Sequence, residues 1–403
     1  MDQLKNKRIL FLYPYGYWPA NPNCVSFIER CEKDGIPFDL VCPSALNCRG
    51  DGKAISEWAW LVRRLFFSAI KQSFRRPWKT PIIWKTLLHF YDLKHRIKNG
   101  RYSSIVTCDA TGLGLLQRMA LKQTVPIIYL SYHILFRSEL KTRNEQILAR
   151  RESQMIQSVT LALSQDESRK KLIAAELNLP EEKIQCIPVA PEDRFKKKDS
   201  LAPSNSSKMI LYCGNIEKWN IEEVLNSISE SIPAGYHLRI HTHFQPPKSL
   251  YKHLLKLDEK QLLRFSFSFL SEEELVNLID SSHIGLAPYF PKSDSWMVNK
   301  TLHHIGKAST KIAYYCMRKK PVITTPLPSL LSALEKYPFG IAIEDWTRID
   351  ESIHEINANY GLFSKNAHDY YQSELCPTER LNQFWKKTKN LVPSSSAQTH
   401  DRF

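Results

Sequence analysis

Short unbroken runs of apolar residues, rich in Val and Ile, recur along this chain, and between them apolar positions return every three or four residues. KRILFLYPYG (residues 7–16) predicts a strand buried on both faces, NPNCVSFIERCEKDG (21–35) the helix after it, and PFDLVCPS (37–44) a second strand. SSIVTCD (103–109), VPIIYLSYH (125–133), VTLALSQ (159–165) and KIQCIPVAP (183–191) continue the strand series. GLGLLQRMALKQ (112–123), NEQILARRESQMIQS (144–158) and DESRKKLIAAELNL (166–179) lie between them with helical spacing. Strands that are continuously apolar rather than alternating, each followed by a helix, predict a parallel sheet covered on both faces.

The pattern then breaks. FKKKDSLAPSNSSK (195–208) is polar, rich in Ser and Lys, and has no period, which predicts a linker between domains. Beyond it the alternation restarts with MILYCGNI (209–216), HLRIHTHF (237–244), LLRFSFSFL (262–270), HIGLAPYFP (283–291), PVITTP (321–326) and FGIAIEDW (339–346). The expected architecture is therefore α/β, with two Rossmann-like doubly wound parallel-sheet domains at residues 1–195 and 208–375, joined by a linker at 196–207. Residues 376–392 predict a last helix running back toward the N-terminal domain, and 393–403 a disordered tail.

Bulk properties narrow the class. With 403 residues the chain exceeds what one core supports, and 43% hydrophobic with 24% charged residues excludes wholesale disorder. No apolar run approaches the roughly 20 residues needed to span a bilayer, and the N-terminal run lacks a signal-peptide pattern, so cytoplasmic residence is expected. Nine cysteines without a C-x-x-C pair point to reduced thiols rather than disulfides or zinc. The formal charge of +15 calls for an anionic partner. Residues 60–102 concentrate that charge: Asp92 is the segment's one acid, and Trp60, Phe66, Phe67, Phe74, Trp78 and Trp84 are interleaved with its cations. That mixture suits an anionic membrane surface. It equally suits the outer helices of a domain with their apolar faces buried. No nucleic-acid-binding motif accompanies it, so nucleic acid is not an expected partner.

The stretch with most chemical content is GKASTKIAYYCMRKKPVI (306–323). Its Gly306 permits a tight entry, and Ser309, Thr310 and Lys311 open a helix. Amides at a helix start have no intrahelical partner and carry partial positive charge, so a phosphate placed there gains hydrogen bonds. An ordinary N-cap uses the same residues; the strand–helix–strand context favours the anion. His241 and His243 alternate along one strand face but have no third ligand at metal spacing, so no metal is expected. Asp109, after the strand 103–108, suits either a base on an acceptor hydroxyl or an N-cap.

HIGLAPYFPKSDSWMVNKTLHHIGKASTKIAYYCMRKKPVITTPLPSLLSALEKYPFGIAI (283–343) resembles the donor-binding half of GT-B glycosyltransferases, the group that includes retaining polysaccharide-building enzymes. LYCGNIEKWNIEEVLNSI (211–228) is similar to the first strand and helix of that half, and residues 150–191 to the end of the preceding domain. The resemblance implies a GT-B fold of two domains facing a central cleft. A UDP- or GDP-linked sugar would sit on the C-terminal domain and a lipid-linked or glycan acceptor on the N-terminal one, with no metal or cofactor. It implies a hexosyltransferase with retention of configuration, acting in cell-surface polysaccharide or glycolipid assembly at the inner membrane face. It places Gly16 in a loop near the donor phosphates and His133 at the donor sugar. Gly214, Asn215 and Lys218 fall at the diphosphate, with Asn215 where many relatives carry Arg. Tyr289 would line the base or sugar pocket, and Gly306, Ser309, Thr310 and Lys311 would hold the diphosphate. Tyr314 and Gly306 stand where many relatives carry glutamates, one of them on the ribose. A sugar-nucleotide 2-epimerase of the same fold, or a scaffold without turnover, is compatible with the same residues.

Overall fold

The computed structural model describes residues 8–14, 18–41, 94–99, 102–119, 125–195, 208–227, 232–291 and 299–391. Gly16, the linker at 196–207, the tail at 393–403 and nearly all of the basic aromatic segment (60–93, 100 and 101) lie outside the described residues. The chain divides into two units, Met1–Ile187 with Thr378–Phe403, and Pro188–Pro377.

In the first unit six parallel strands are described: β1 (Arg8–Leu12), β2 (Phe38–Val41), β3 (Tyr102–Cys108), β4 (Ile127–Leu130), β5 (Val159–Ser164) and β6 (Ile184–Cys186). Their order is β2-β1-β3-β4-β5-β6. Helices α1 (Pro22–Lys33), α2 (Asp109–Arg118), α3 (Arg143–Ile156) and α4 (Glu167–Leu177) connect or flank them. All seven residues of β3 are buried, as expected for a strand covered on both faces. Helix starts follow local chemistry. Thr142 and Glu145 form a capping box at α3, and Asp166 caps α4 through the Arg169 amide.

Among the described residues of the second unit there are six parallel strands: β7 (Lys208–Cys213), β8 (Tyr236–Thr242), β9 (Arg264–Phe267), β10 (Ile284–Ala287), β11 (Val322–Thr324) and β12 (Gly340–Ala342). Its helices are α5 (Lys218–Ser227), α6 (Lys248–Glu259), α7 (Glu272–Asp280), α8 (Lys300–His303), α9 (Thr310–Met317), α10 (Pro328–Lys336), α11 (Ile349–Ala358) and α12 (Tyr360–Tyr370). The order β12-β11-β10-β7-β8-β9 reverses direction between β7 and β10. That reversal opens a crevice beyond the carboxyl ends of the two strands, where ligands of such sheets bind. Residues of β7 alternate between two apolar layers: Met209, Leu211 and Cys213 pack on one face, Ile210 and Tyr212 on the other. Gly285 of β10 lets the ring of Tyr315 lie on the sheet, since a Cβ there would come within 2.4 Å of the ring. The Tyr315 hydroxyl then donates to Leu211 O at 2.9 Å and accepts from the Cys213 amide at 3.0 Å. This fixes α9 against the crevice edge of β7.

Residues 188–195 bond within this second unit. The Val189 amide donates to Lys307 O, the Tyr371 hydroxyl to Pro191 O, and Arg318 to Phe195 O. The last helix, α13 (Thr378–Asn390), belongs to the first unit. Phe384 meets Phe27 of α1 with ring centroids 5.3 Å apart, and Trp385 Nε1 donates to Asp34 at 2.7 Å. Arg30 reaches Asn382 at 2.8 Å, and Lys389 pairs with Asp34 at 2.9 Å. Among the described residues no helix is long and apolar enough to cross a membrane.

Candidate functional site

In the second unit the stretch 306–323 does not open as one helix. Gly306–Ala308 forms a 3-10 turn, and α9 starts at Thr310 with Ser309 as its N-cap. The turn is tied on three sides. The Gly306 amide donates to Ser329 Oγ at 3.1 Å, Lys307 Nζ pairs with Glu374 at 2.6 Å, and Lys307 O accepts from Val189. Ser309 Oγ accepts from the Ile312 amide at 3.2 Å and lies 2.5 Å from the Tyr289 hydroxyl. The cap uses one amide of the helix start, and those of Thr310 and Lys311 lie beyond the intrahelical ladder.

Lys311 is half-buried, and its position is unusual for a cation. Its ammonium lies 4.7 Å from the ring centroids of both Tyr212 and Tyr289, and 3.4 Å from the Tyr212 hydroxyl. Gly214, which ends β7, makes room for the stem: a Cβ there would stand 3.1 Å from Lys311 Cδ. Burial pushes the lysine down to about 7. Tyr289 is itself buried, stacks on Trp219 at 6.3 Å, and is held by Ser309 and Thr325. It therefore forms a wall behind the helix start rather than an open pocket lining. Asn215 contributes its carbonyl, which accepts from Tyr212 and from Asn220 Nδ2. Lys218 opens α5, and its side chain lies outside the described residues. The second unit thus brings Gly214, Tyr289, Ser309, Thr310 and Lys311 together at the switch between β7 and β10. Ser309→Ala is expected to lower the unfolding free energy by about 1–2 kcal/mol, because the cap and the Tyr289 partner go together. Urea denaturation measures this directly.

Tyr314 lies one turn into α9 and donates to Glu272 Oε1 of α7 at 3.4 Å. At the carboxyl end of β8, His241 bonds Ser266 Oγ through Nδ1 at 2.8 Å, and its ring meets that of His243 edge-on at 5.6 Å. Burial lowers His241 to about 4 and also lowers His243, so both are neutral at ordinary pH. Among the described residues no third ligand joins them.

The first unit brings Asp109 and His133 together. Asp109 begins α2 with φ 51°, a left-handed conformation that Asp tolerates better than most residues. Its side chain does not cap α2. It turns to the end of β4 instead, where Oδ1 accepts from the amides of Tyr132 at 2.6 Å and His133 at 3.0 Å. Oδ2 lies 2.8 Å from His133 Nδ1. A carboxylate in that position only accepts, so Nδ1 carries the proton and Nε2 is the imidazole's basic nitrogen. The Asp109 side chain is 1% exposed and that of His133 35%. The expectation of Asp109 as a base on an acceptor hydroxyl is therefore corrected: its burial leaves it orienting the histidine.

Behind this pair lies a layer that the sequence pattern did not reveal. Arg169 is completely buried and donates to Tyr132 O at 2.6 Å and to Gln165 Oε1 at 2.5 Å. Gln165 Nε2 in turn donates to Ser131 O at 2.7 Å. The two carbonyls before His133 are thereby fixed. Arg169 sits in an ordinary-looking charged helix, and no local signal marks it as buried. Alternation along β7 places the Tyr212 side chain on the face opposite Leu211 and Cys213, and no local signal marks it as a neighbour of Lys311.

No known family model matches the chain, and no curated protein matches it. Solved structures do. Anabaena HepE in complex with UDP and glucose shares 11% identity, with 95% of this chain and 100% of that one covered and a TM-score of 0.64. Sucrose-phosphate synthase from Thermosynechococcus elongatus shares 13%, with coverage of 96% and 99% and a TM-score of 0.65. WaaG, a glycosyltransferase involved in lipopolysaccharide biosynthesis, shares 10%, with coverage of 93% and 98% and a TM-score of 0.61. The chain thus has the GT-B glycosyltransferase fold, with two Rossmann-like domains as the sequence led one to expect.

Proposed function

We propose that a chain with this fold transfers a sugar from a UDP- or GDP-linked donor to a lipid-linked or glycan acceptor in cell-surface glycan assembly. The observation that carries the reading is the start of α9 at the strand-order switch, with the Lys311 ammonium beside it. In such a transfer the diphosphate leaves with the negative charge that develops as the glycosidic bond breaks. Helix amides and a preorganised cation stabilise that charge without rearrangement. Thr310 and Lys311 supply the amides, Ser309 and Tyr289 hold the start rigid, and Lys311 supplies the cation. The turn at Gly214 and Asn215 lets the phosphates approach β7, and Lys218 and Gly16 are proposed as further donor contacts. His133, held by Asp109, is the proposed catalytic group at the donor sugar. Retention is the proposed outcome, following the group the sequence resembles. The basic aromatic segment 60–102 is proposed to hold the protein at an anionic membrane surface, where lipid-linked acceptors reside. The UDP-glucose bound by HepE and the pathway of WaaG support a nucleotide-sugar donor and a glycan product.

The test is incubation with a panel of UDP- and GDP-sugars, with and without a lipid extract from a glycan-producing bacterium. Acceptor-dependent release of nucleotide is expected from at least one donor. Its absence across the panel sinks the reading, and donor conversion without acceptor turns it toward an epimerase.

A further inference from the structure

We infer that the outer edge of the second unit, formed by α6 and β9, docks on an anionic lipid headgroup layer. This surface is separate in sequence from residues 60–102, and it stands whether or not sugar transfer is the reaction. Among the described residues β9 ends its sheet and pairs with β8 alone. Helix α6 lies along it: the Tyr251 ring meets that of Phe265 edge-on at 6.0 Å, and Asp258 Oδ1 accepts from the Phe265 amide at 3.1 Å. Leu250, Leu254 and Leu257 bury the inner face of α6. Its outer face repeats Lys248, Lys252 and Lys256 one turn apart, all exposed, and the exposed Lys260 follows at the C-cap.

Residues 248–267 hold five Lys and Arg against two acids, and one of those acids, Asp258, is already engaged with β9. Among the described residues none of the five cations forms an ion pair. Large apolar side chains stand exposed between them: Leu255 at 37%, Leu262 at 38% and Phe267 at 45%. One exposed leucine is ordinary. Three large apolar groups set among unpaired cations match a headgroup layer, which takes the cations at its phosphates and the apolar groups at the acyl boundary. On the other face of β9, Arg264 lies in register with Arg239 of β8. Burial and these two charges hold His237 below its ordinary value. Like charges side by side across strands cost stability, and an anionic surface offsets that cost. Cations on an edge strand also deter pairing between copies, but three of the five lie on α6. Leu255 and Leu262 favour lipid over nucleic acid, whose bases stack on aromatic rings.

The experiment is flotation of the full chain with vesicles of two parts phosphatidylcholine to one part phosphatidylglycerol, and with phosphatidylcholine alone. Hydrogen–deuterium exchange follows the same mixtures. The wild type is expected to float with the anionic vesicles, less so as salt is added, and to exchange more slowly over residues 248–267 when bound. Lys252→Gln combined with Lys256→Gln is expected to cut partitioning by about tenfold or more, whereas the paired Lys→Arg variant retains it. Leu255→Ser should also lower partitioning, by less. These positions are exposed, and circular dichroism shows whether each variant is folded. Failure to float with anionic vesicles, or equal flotation with neutral ones, overturns the inference. So does a wild type that floats with no change in exchange at 248–267, or a glutamine pair that floats like the wild type. Slower exchange of this segment with a single-stranded RNA but not with vesicles assigns it to nucleic acid and equally overturns it. Each of these results leaves the sugar-transfer reading standing, since that is judged by nucleotide release.

Discussion

Asp109→Asn is expected to leave the protein folded and to cut sugar transfer by roughly a hundredfold or more. The amide keeps an oxygen for the Tyr132 and His133 amides, and Asn accepts the left-handed backbone at this position. What changes is the group facing His133 Nδ1. A carboxylate oxygen accepts its proton; an amide nitrogen donates, forcing the ring proton onto Nε2 and removing the basic nitrogen from the reacting side. His133→Ala should cost a similar factor, and the double variant little more than either alone, because the two residues act as one unit. Initial rates of nucleotide release, alongside thermal unfolding by circular dichroism, decide this. If Asp109→Asn keeps its rate while folded, His133 is not at the reaction centre.

Lys311→Met is expected to weaken nucleoside diphosphate binding by about tenfold to a hundredfold near pH 6, the range of a lost charge-assisted contact. The effect should depend on pH in a definite direction. In the free protein burial brings Lys311 down to about 7, whereas a bound diphosphate favours the ammonium and raises it again. Above pH 7 binding must therefore take up a proton, and affinity should fall by up to about tenfold per pH unit while the complex stays protonated. Titrations between pH 6 and 9 should show that slope in the wild type and none in Lys311→Met. Stability should move the other way. A lysine held below its unfolded value destabilises the fold fully below its folded pKa, and the penalty fades as pH rises from about 7 toward the ordinary lysine range. Lys311→Met, which keeps the stem between the tyrosines, should thus gain stability near pH 6 and lose that advantage at high pH. A methionine variant with unchanged affinity and no change in slope would remove Lys311 from the site.

The sheets were legible because their strands are unbroken runs of Val, Ile and Leu, a pattern that fits a strand covered on both faces. Ser309 was legible as a cap because capping is local: the oxygen and the amide it accepts are three residues apart. The surroundings of Lys311 were not. Tyr212 lies 99 residues away along the chain, and only the sheet order brings it beside α9. Asp109 was misread for a related reason, since its partners at 132 and 133 come from the next strand, and a left-handed backbone turns its side chain off the helix it begins. The pairing of Glu272 with Tyr314 spans 42 residues and leaves no trace in periodicity or composition.

The packing of α13 on α1 has a consequence for how the molecule matures. The residues that cover Phe27 and Asp34 are translated only after the whole of Pro188–Pro377. A nascent chain therefore carries α1 with the face that meets α13 uncovered until Pro188–Pro377 has been made. The earlier half is finished last, and the interval in between is when the growing polypeptide is most exposed to misassembly.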